Sequence, residues 1–174
     1  MIRYIICLVI FSSLSSECFA IDMYTKFHNI DNVLSLSVYT PDGWIVKQAK
    51  KPVPMEEDDS ISIIGELKSG DDHLSGEIYV IKEEENGRAI RKIISASTKR
   101  YGANADQDVT LDRTGGAINK KIRYLSDSRV FIQQIFSFKG YAVAIVIAAP
   151  LPVSDVDGGK IFNVLSHTMI GVRG

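Results

Sequence analysis

Residues 141–149 read Tyr-Ala-Val-Ala-Ile-Val-Ile-Ala-Ala, a run without one charged side chain, closed by Pro150. It is too short to cross a bilayer, which takes roughly 20 residues. Its β-branched content and the proline that stops it fit a strand buried on both faces. Such a strand belongs in the middle of a sheet, and the rest of the chain must supply its neighbours and its covers.

The neighbours are legible as short runs. Leu34-Ser-Leu-Ser-Val-Tyr39 alternates apolar with small or polar residues and predicts a half-buried strand. Thr40-Pro41-Asp42-Gly43 predicts the turn that ends it, proline presetting one torsion and glycine accepting a positive one. Residues 44–48, 61–67, 76–81, 109–111, 117–124 and 130–138 read as further extended runs. Turns are expected at residues 69–72, 114–116, 127–128 and 139–140. Residues 50–54 carry two prolines and cannot be a central strand. Together with Glu56, Glu57, Asp58 and Asp59 they are expected as an exposed, charged loop.

Two segments carry helical spacing. Ile90, Ile93, Ile94, Ser97 and Tyr101 repeat on one side, with Arg88, Arg91, Lys92 and Lys99 on the other and Gly102 as the stop. This outweighs the hairpin signal of Asn86-Gly87. Near the end, Ser154 followed by Asp157 resembles a capping box, and Ile161, Val164, Leu165, Thr168 and Met169 share a face. Strands joined by short turns pair antiparallel, so the class is α+β: an antiparallel sheet of about six to seven strands with helices packed on it.

The first residues do not read as part of this layout. Arg3 precedes the apolar run of residues 4–11, a serine-rich segment follows, and Cys18-Phe-Ala20 places small side chains at a cleavable exit. That is the pattern of a secretory signal, with the cut expected after Ala20 and a periplasmic or secreted address. A retained anchor is the rival reading. A lipidated Cys18 fits poorly, because Glu17 stands beside it. The cut removes Cys7 and Cys18, the two cysteines of the chain. The remainder, residues 21–174, then folds as one domain without a thiol chemistry of any kind. Within it, residues 21–33 are expected as a loose lead-in or a short helix.

The strand and turn ending Val38-Tyr-Thr-Pro-Asp-Gly-Trp44, the middle helix, the strands leading to residues 141–149, and the terminal Ile161-Phe-Asn-Val-Leu-Ser166 together resemble the PsbP/Mog1 superfamily. The likeness covers residues 34–170. It implies an α/β/α sandwich, with helices on both sides of an antiparallel sheet. Relatives in that superfamily include a photosystem II extrinsic subunit, a nuclear-GTPase binder, envelope lipoproteins and chaperones of secreted effectors. The resemblance therefore implies a binding protein, and it carries over no catalytic residue.

Residue patterns that carry chemistry are met only in fragments along the chain. His28, His73 and His167 are scattered, without a partner at metal-ligand spacing. No Gly-x-Ser-x-Gly elbow exists, and Ser75 before Gly76 reads as a turn. Asp155-Val-Asp157-Gly158 starts like a calcium loop but lacks the later ligands, and capping explains it better. Gly115-Gly116 has no phosphate-loop frame. We therefore expect no catalytic, cofactor-binding or metal-binding residue.

Charge is more informative. The net charge of -1 gives no general reason to bind nucleic acid, and after cleavage no membrane span is expected. Acids dominate from Glu56 to Glu85 and bases from Arg88 to Arg129. Either the surface is bipolar and steers a charged partner, or folding pairs the two blocks. Trp44 either anchors a partner or closes the first hairpin from inside. The expected function is binding of another envelope protein, through Trp44, Lys50, Lys51, Glu56, Glu57, Asp58 and Asp59. One version is an immunity-type inhibitor of a toxin. The alternatives are a carrier that shelters an apolar ligand or segment, and a hydrolase with an unrecognised site.

Overall fold

A computed structural model describes residues 24–30, 34–102, 104–108, 118–138 and 140–172. Among them the order is β1 (Tyr24–Ile30), β2 (Leu34–Tyr39), β3 (Ile45–Met55), β4 (Asp58–Lys68), β5 (Ser75–Lys82), α1 (Asn86–Tyr101), β6 (Asn104–Asp108), β7 (Ile118–Leu125), β8 (Arg129–Phe138), β9 (Tyr141–Pro150), α2 (Asp155–His167) and β10 (Met169–Val172). Seven strands form an antiparallel sheet in the order β3-β4-β5-β9-β8-β7-β6. A smaller sheet has the order β1-β2-β10.

The central strand is where its composition demands. β9 pairs with β5 on one side and β8 on the other, and residues 141–149 are all buried. Its side chains alternate between two cores. Val143, Ile145 and Ile147 meet Leu36, Val38, Val164 and Leu165 from β2 and α2. Ala142, Ala144 and Val146 meet Tyr79, Ile90 and Ile93 from β5 and α1. The two faces are thus covered by unlike layers, one by α1 and the other by α2 with the small sheet, as an α/β/α sandwich requires.

The start of α2 and the stop of α1 lie where the sequence predicts, whereas α2 ends at His167 and leaves Thr168 and Met169, expected on its apolar face, beyond it. The Ser154 hydroxyl accepts the Asp157 backbone N–H at 3.1 Å and donates to its carboxylate at 2.7 Å, closing the cap of α2. Gly102, at φ 100°, ends α1 with its N–H on the Thr98 carbonyl at 3.1 Å.

Four expectations need correction. Residues 24–30, expected as loose lead-in or short helix, form β1 along β2. The chain does not end in a helix, since β10 follows α2 and pairs with the other side of β2. The turn at residues 40–43 makes no hairpin: β2 and β3 lie in different sheets, and Gly43 at φ 77° lets the chain cross between them. Residues 50–54 are not a loop but the end of β3, and Glu56-Glu57 alone turn the chain into β4. Two prolines are tolerated there because β3 is an edge and needs no donors on its free side. Gln48 pairs with Gly65 and Val53 with Ile63, so the residues between bow outward. The strand and turns expected at residues 109–111, 114–116 and 139, like the signal segment, lie outside the described residues.

Candidate functional site

The residues expected to contact a partner are separated by the length of β3. Trp44 is buried at its start, packed with Phe27 and Leu36, so it belongs to the core. Glu56 and Asp59 stand exposed at the far hairpin, roughly 35 Å of extended strand away. Lys50 and Lys51 are exposed on the outward bow between them.

The other two acids are occupied. Glu57 Oε2 lies 3.3 Å from Arg100 Nη1, and Asp58 accepts the Ser60 hydroxyl at 2.6 Å and its backbone N–H at 3.0 Å. The Ser60 hydroxyl holds the Asp58 carboxyl below the ordinary range, against a smaller effect of burial. Elsewhere Glu83 pairs with Arg88 and Lys92, and Glu85 with Arg91. The acidic and basic blocks of the sequence thus meet each other across the α1 surface, the second of the two readings above. Exposed pairs of this kind each contribute about 0–1 kcal/mol.

Arg100 leads into a second cluster that no spacing along the chain hints at. Its Nη2 donates to Glu77 Oε1 at 2.9 Å. Glu77 Oε2 accepts the Tyr101 hydroxyl at 2.8 Å and the Tyr79 hydroxyl at 2.5 Å, and the two phenols also meet. Tyr101 stacks on Phe131 of β8 with ring centroids 4.4 Å apart. Burial opposes the positive charge of Arg100, but Glu77 and Glu57 outweigh it and hold its pKa above the ordinary value. Burial raises Tyr101 well above the ordinary 10.0, and the Glu77 charge adds to it. Burial raises Tyr124 as well, against a hydrogen bond from Ser97.

These two phenols carry a pH dependence. In the unfolded chain they ionise near pH 10, whereas folded they stay protonated beyond it. Their stabilisation is complete below pH 10.0 and is lost as pH rises past that value. In an alkaline titration, the phenolate absorbance of two tyrosines should appear only together with the loss of circular dichroism. Ionisation of every tyrosine before any loss of dichroism would refute the burial argument.

Among the described residues, a groove of about 430 Å³ opens beside the last turn of α1. Antiparallel register builds its floor in two transverse rows. One runs Lys68, Ser75, Ala148, Phe131 across β4, β5, β9 and β8. The next runs Glu66, Glu77, Val146. Arg129, two residues before Phe131, reaches across β9 to place Nη2 3.5 Å from the Ser75 hydroxyl. Arg100 and Tyr101 form the wall on the helix side. Sequence spacing could not reveal this set, because its members come from five elements. The one signal available was charge and hydroxyl at alternate positions inside apolar strands, as in Glu66/Lys68 and Ser75/Glu77.

His73 and His167 have ordinary partners. His73 Nε2 lies 3.4 Å from the Asp157 carboxylate, and His167 Nδ1 lies 3.0 Å from the Asn163 carbonyl. Ser154, Asp157 and His73 are connected, but the carboxylate stands between hydroxyl and imidazole. No imidazole touches the serine, so this is helix capping and not a nucleophile beside its base. Among the described residues, no three His, Cys, Asp or Glu side chains group as metal ligands.

No protein-family model matches the sequence, and no curated protein matches it. Solved structures do. The solution structure of cyanobacterial PsbP (CyanoP) from Synechocystis superposes with a TM-score of 0.59 at 9% identity, covering 88% of this chain and 95% of that one. The fold is PsbP-like. LpqN, described as involved in cell envelope biogenesis of Mycobacterium tuberculosis, matches with a TM-score of 0.49 at 12% identity, over 84% of this chain and 90% of its own. What is shared with CyanoP is architecture.

Proposed function

We propose that the chain is exported and acts by binding another protein, without catalysis. The signal-like residues 1–20 support export. The observation that carries the binding reading is the anchored hairpin between β3 and β4. Glu57 is tied through Arg100 to Glu77, so the tip is braced against α1 and the sheet, with Glu56 and Asp59 left exposed. Lys50 and Lys51 project from the same edge. A braced, charged prong loses little conformational freedom on binding and steers an oppositely charged partner. One version of this reading is an immunity-type inhibitor that presents the acids to a cationic cleft.

The carrier reading has less support. The space between α1 and the sheet is filled by Tyr79, Ile90, Ile93 and Val146. The hydrolase reading lacks a serine with imidazole beside it among the described residues.

The test is capture from an envelope extract with the purified chain and with a Glu56→Lys/Asp59→Lys variant, which spares both anchoring acids. A stoichiometric protein should be retained by the first and lost, about tenfold or more, by the second, more steeply at low salt. Equal retention by both would remove the hairpin from the interface.

A further inference from the structure

We infer that the groove beyond α1 is a binding site for an organic carboxylate with an apolar or aromatic body. This goes beyond the hairpin reading, because Lys68, Ser75 and Arg129 take no part in bracing the prong. Three donors converge at one end of the groove. Lys68 and Ser75 are direct cross-strand neighbours, and the Arg129 guanidinium lies 3.5 Å from the Ser75 hydroxyl. Among the described residues neither Lys68 nor Arg129 joins an ion pair, whereas Arg100 is neutralised by two carboxylates. The unspent positive charge of the groove therefore lies at the Lys68–Ser75–Arg129 end.

The remaining floor sets the apolar Ala148 and Val146 beside Glu77, already bonded to Arg100 and Tyr101, and the exposed Glu66. Ala148 and Val146 lie between that end and the stacked pair Tyr101 and Phe131. An anion alone would leave this surface wet. A hydrocarbon alone would leave two cations facing it, at a desolvation cost. A carboxylate seated between lysine and guanidinium, with its body laid over Ala148 toward Phe131, satisfies both halves. The volume suits a small ligand. The same chemistry is offered by a free acid or by the C-terminal residue of a polypeptide.

The acid source and the chain-end source separate in one titration followed by amide chemical shifts. The probes are 3-phenylpropionate, 3-phenylpropionamide, the tripeptide Gly-Gly-Phe and its C-terminal amide. Both carboxylates are expected to saturate, moving Phe131, Ala148 and Ser75, and each amide to bind at least about tenfold more weakly, since a charge-assisted contact is lost. Tighter binding of the tripeptide assigns the site to chain ends, and equal or tighter binding of phenylpropionate assigns it to a free acid. A Lys68→Ala/Arg129→Ala variant should lose the preference for carboxylate over amide. The amide probes test the same point on the unaltered chain, should that variant fold poorly. Equal affinity for acid and amide, or no saturation by either acid at about 10 mM, would overturn the inference. Failure here leaves hairpin capture untouched, and failure there leaves this titration untouched.

Discussion

Gly76→Ala is expected to destabilise the chain by more than about 4 kcal/mol, in the exceptional range for a single substitution. Gly76 lies in β5 between Leu67 of β4 and Ile147 of β9. A Cβ built there would stand 2.3 Å from the Val146 carbonyl oxygen. That oxygen belongs to the backbone of the buried central strand, so it cannot swing aside as a flexible side chain would. Relief requires the two strands to part, in the middle of the sheet and between both cores. The comparison is Gly158→Ala in the first turn of α2, where an added Cβ meets nothing within 4 Å. There alanine should stabilise, by up to about 1 kcal/mol. Urea unfolding of the two variants measures both signs. An unchanged midpoint for Gly76→Ala would mean that β5 and β9 are not paired in this register.

The second large effect is expected at Gln133. Its side chain is fully buried, accepts the Tyr124 hydroxyl at 2.6 Å and donates to the Ser97 hydroxyl at 2.7 Å. Tyr124 and Ser97 are themselves at 0% exposure, so water cannot replace a missing partner. Gln133→Leu keeps the volume but takes the amide from two buried hydroxyls and leaves them only each other, at a cost of about 1–3 kcal/mol. Adding Ser97→Ala and Tyr124→Phe to that variant removes both hydroxyls, and most of the loss should return. Denaturant unfolding of the single and triple variants checks this. A triple variant weaker than Gln133→Leu would show that packing, not unsatisfied polarity, sets the cost.

The elements that could be read from sequence are those whose pattern is set by their own burial. β9 announces itself because both its faces are covered, and α2 because its cap and apolar face are local. β1, β6 and β10 carry no such signature. β6 reads Asn-Ala-Asp-Gln-Asp and is a strand only because β7 offers it a ladder. β10 is four residues with a glycine inside, held by β2. In these the tertiary partner, not intrinsic propensity, decides. The site divides in the same way. The exposed acids and lysines of the hairpin were visible as a charge run, yet which of them remain free depends on Arg100, some forty residues further on. The groove was invisible because register alone gathers Lys68, Ser75, Ala148 and Phe131.

The pairing of β10 with β2 also has a consequence for how the molecule is made. Met169 lies against Ser37 and Ile170 against Leu36, with nearly all of the described chain between them. Closing a contact over so long a stretch is slow compared with forming any hairpin. Until residues 169–172 are in place, β2 lacks one of its two neighbours, and α2 lacks the segment that ties its end to the small sheet. The small sheet therefore stays unlatched until residues 169–172 reach β2, and a chain cut short before Met169 should never latch at all.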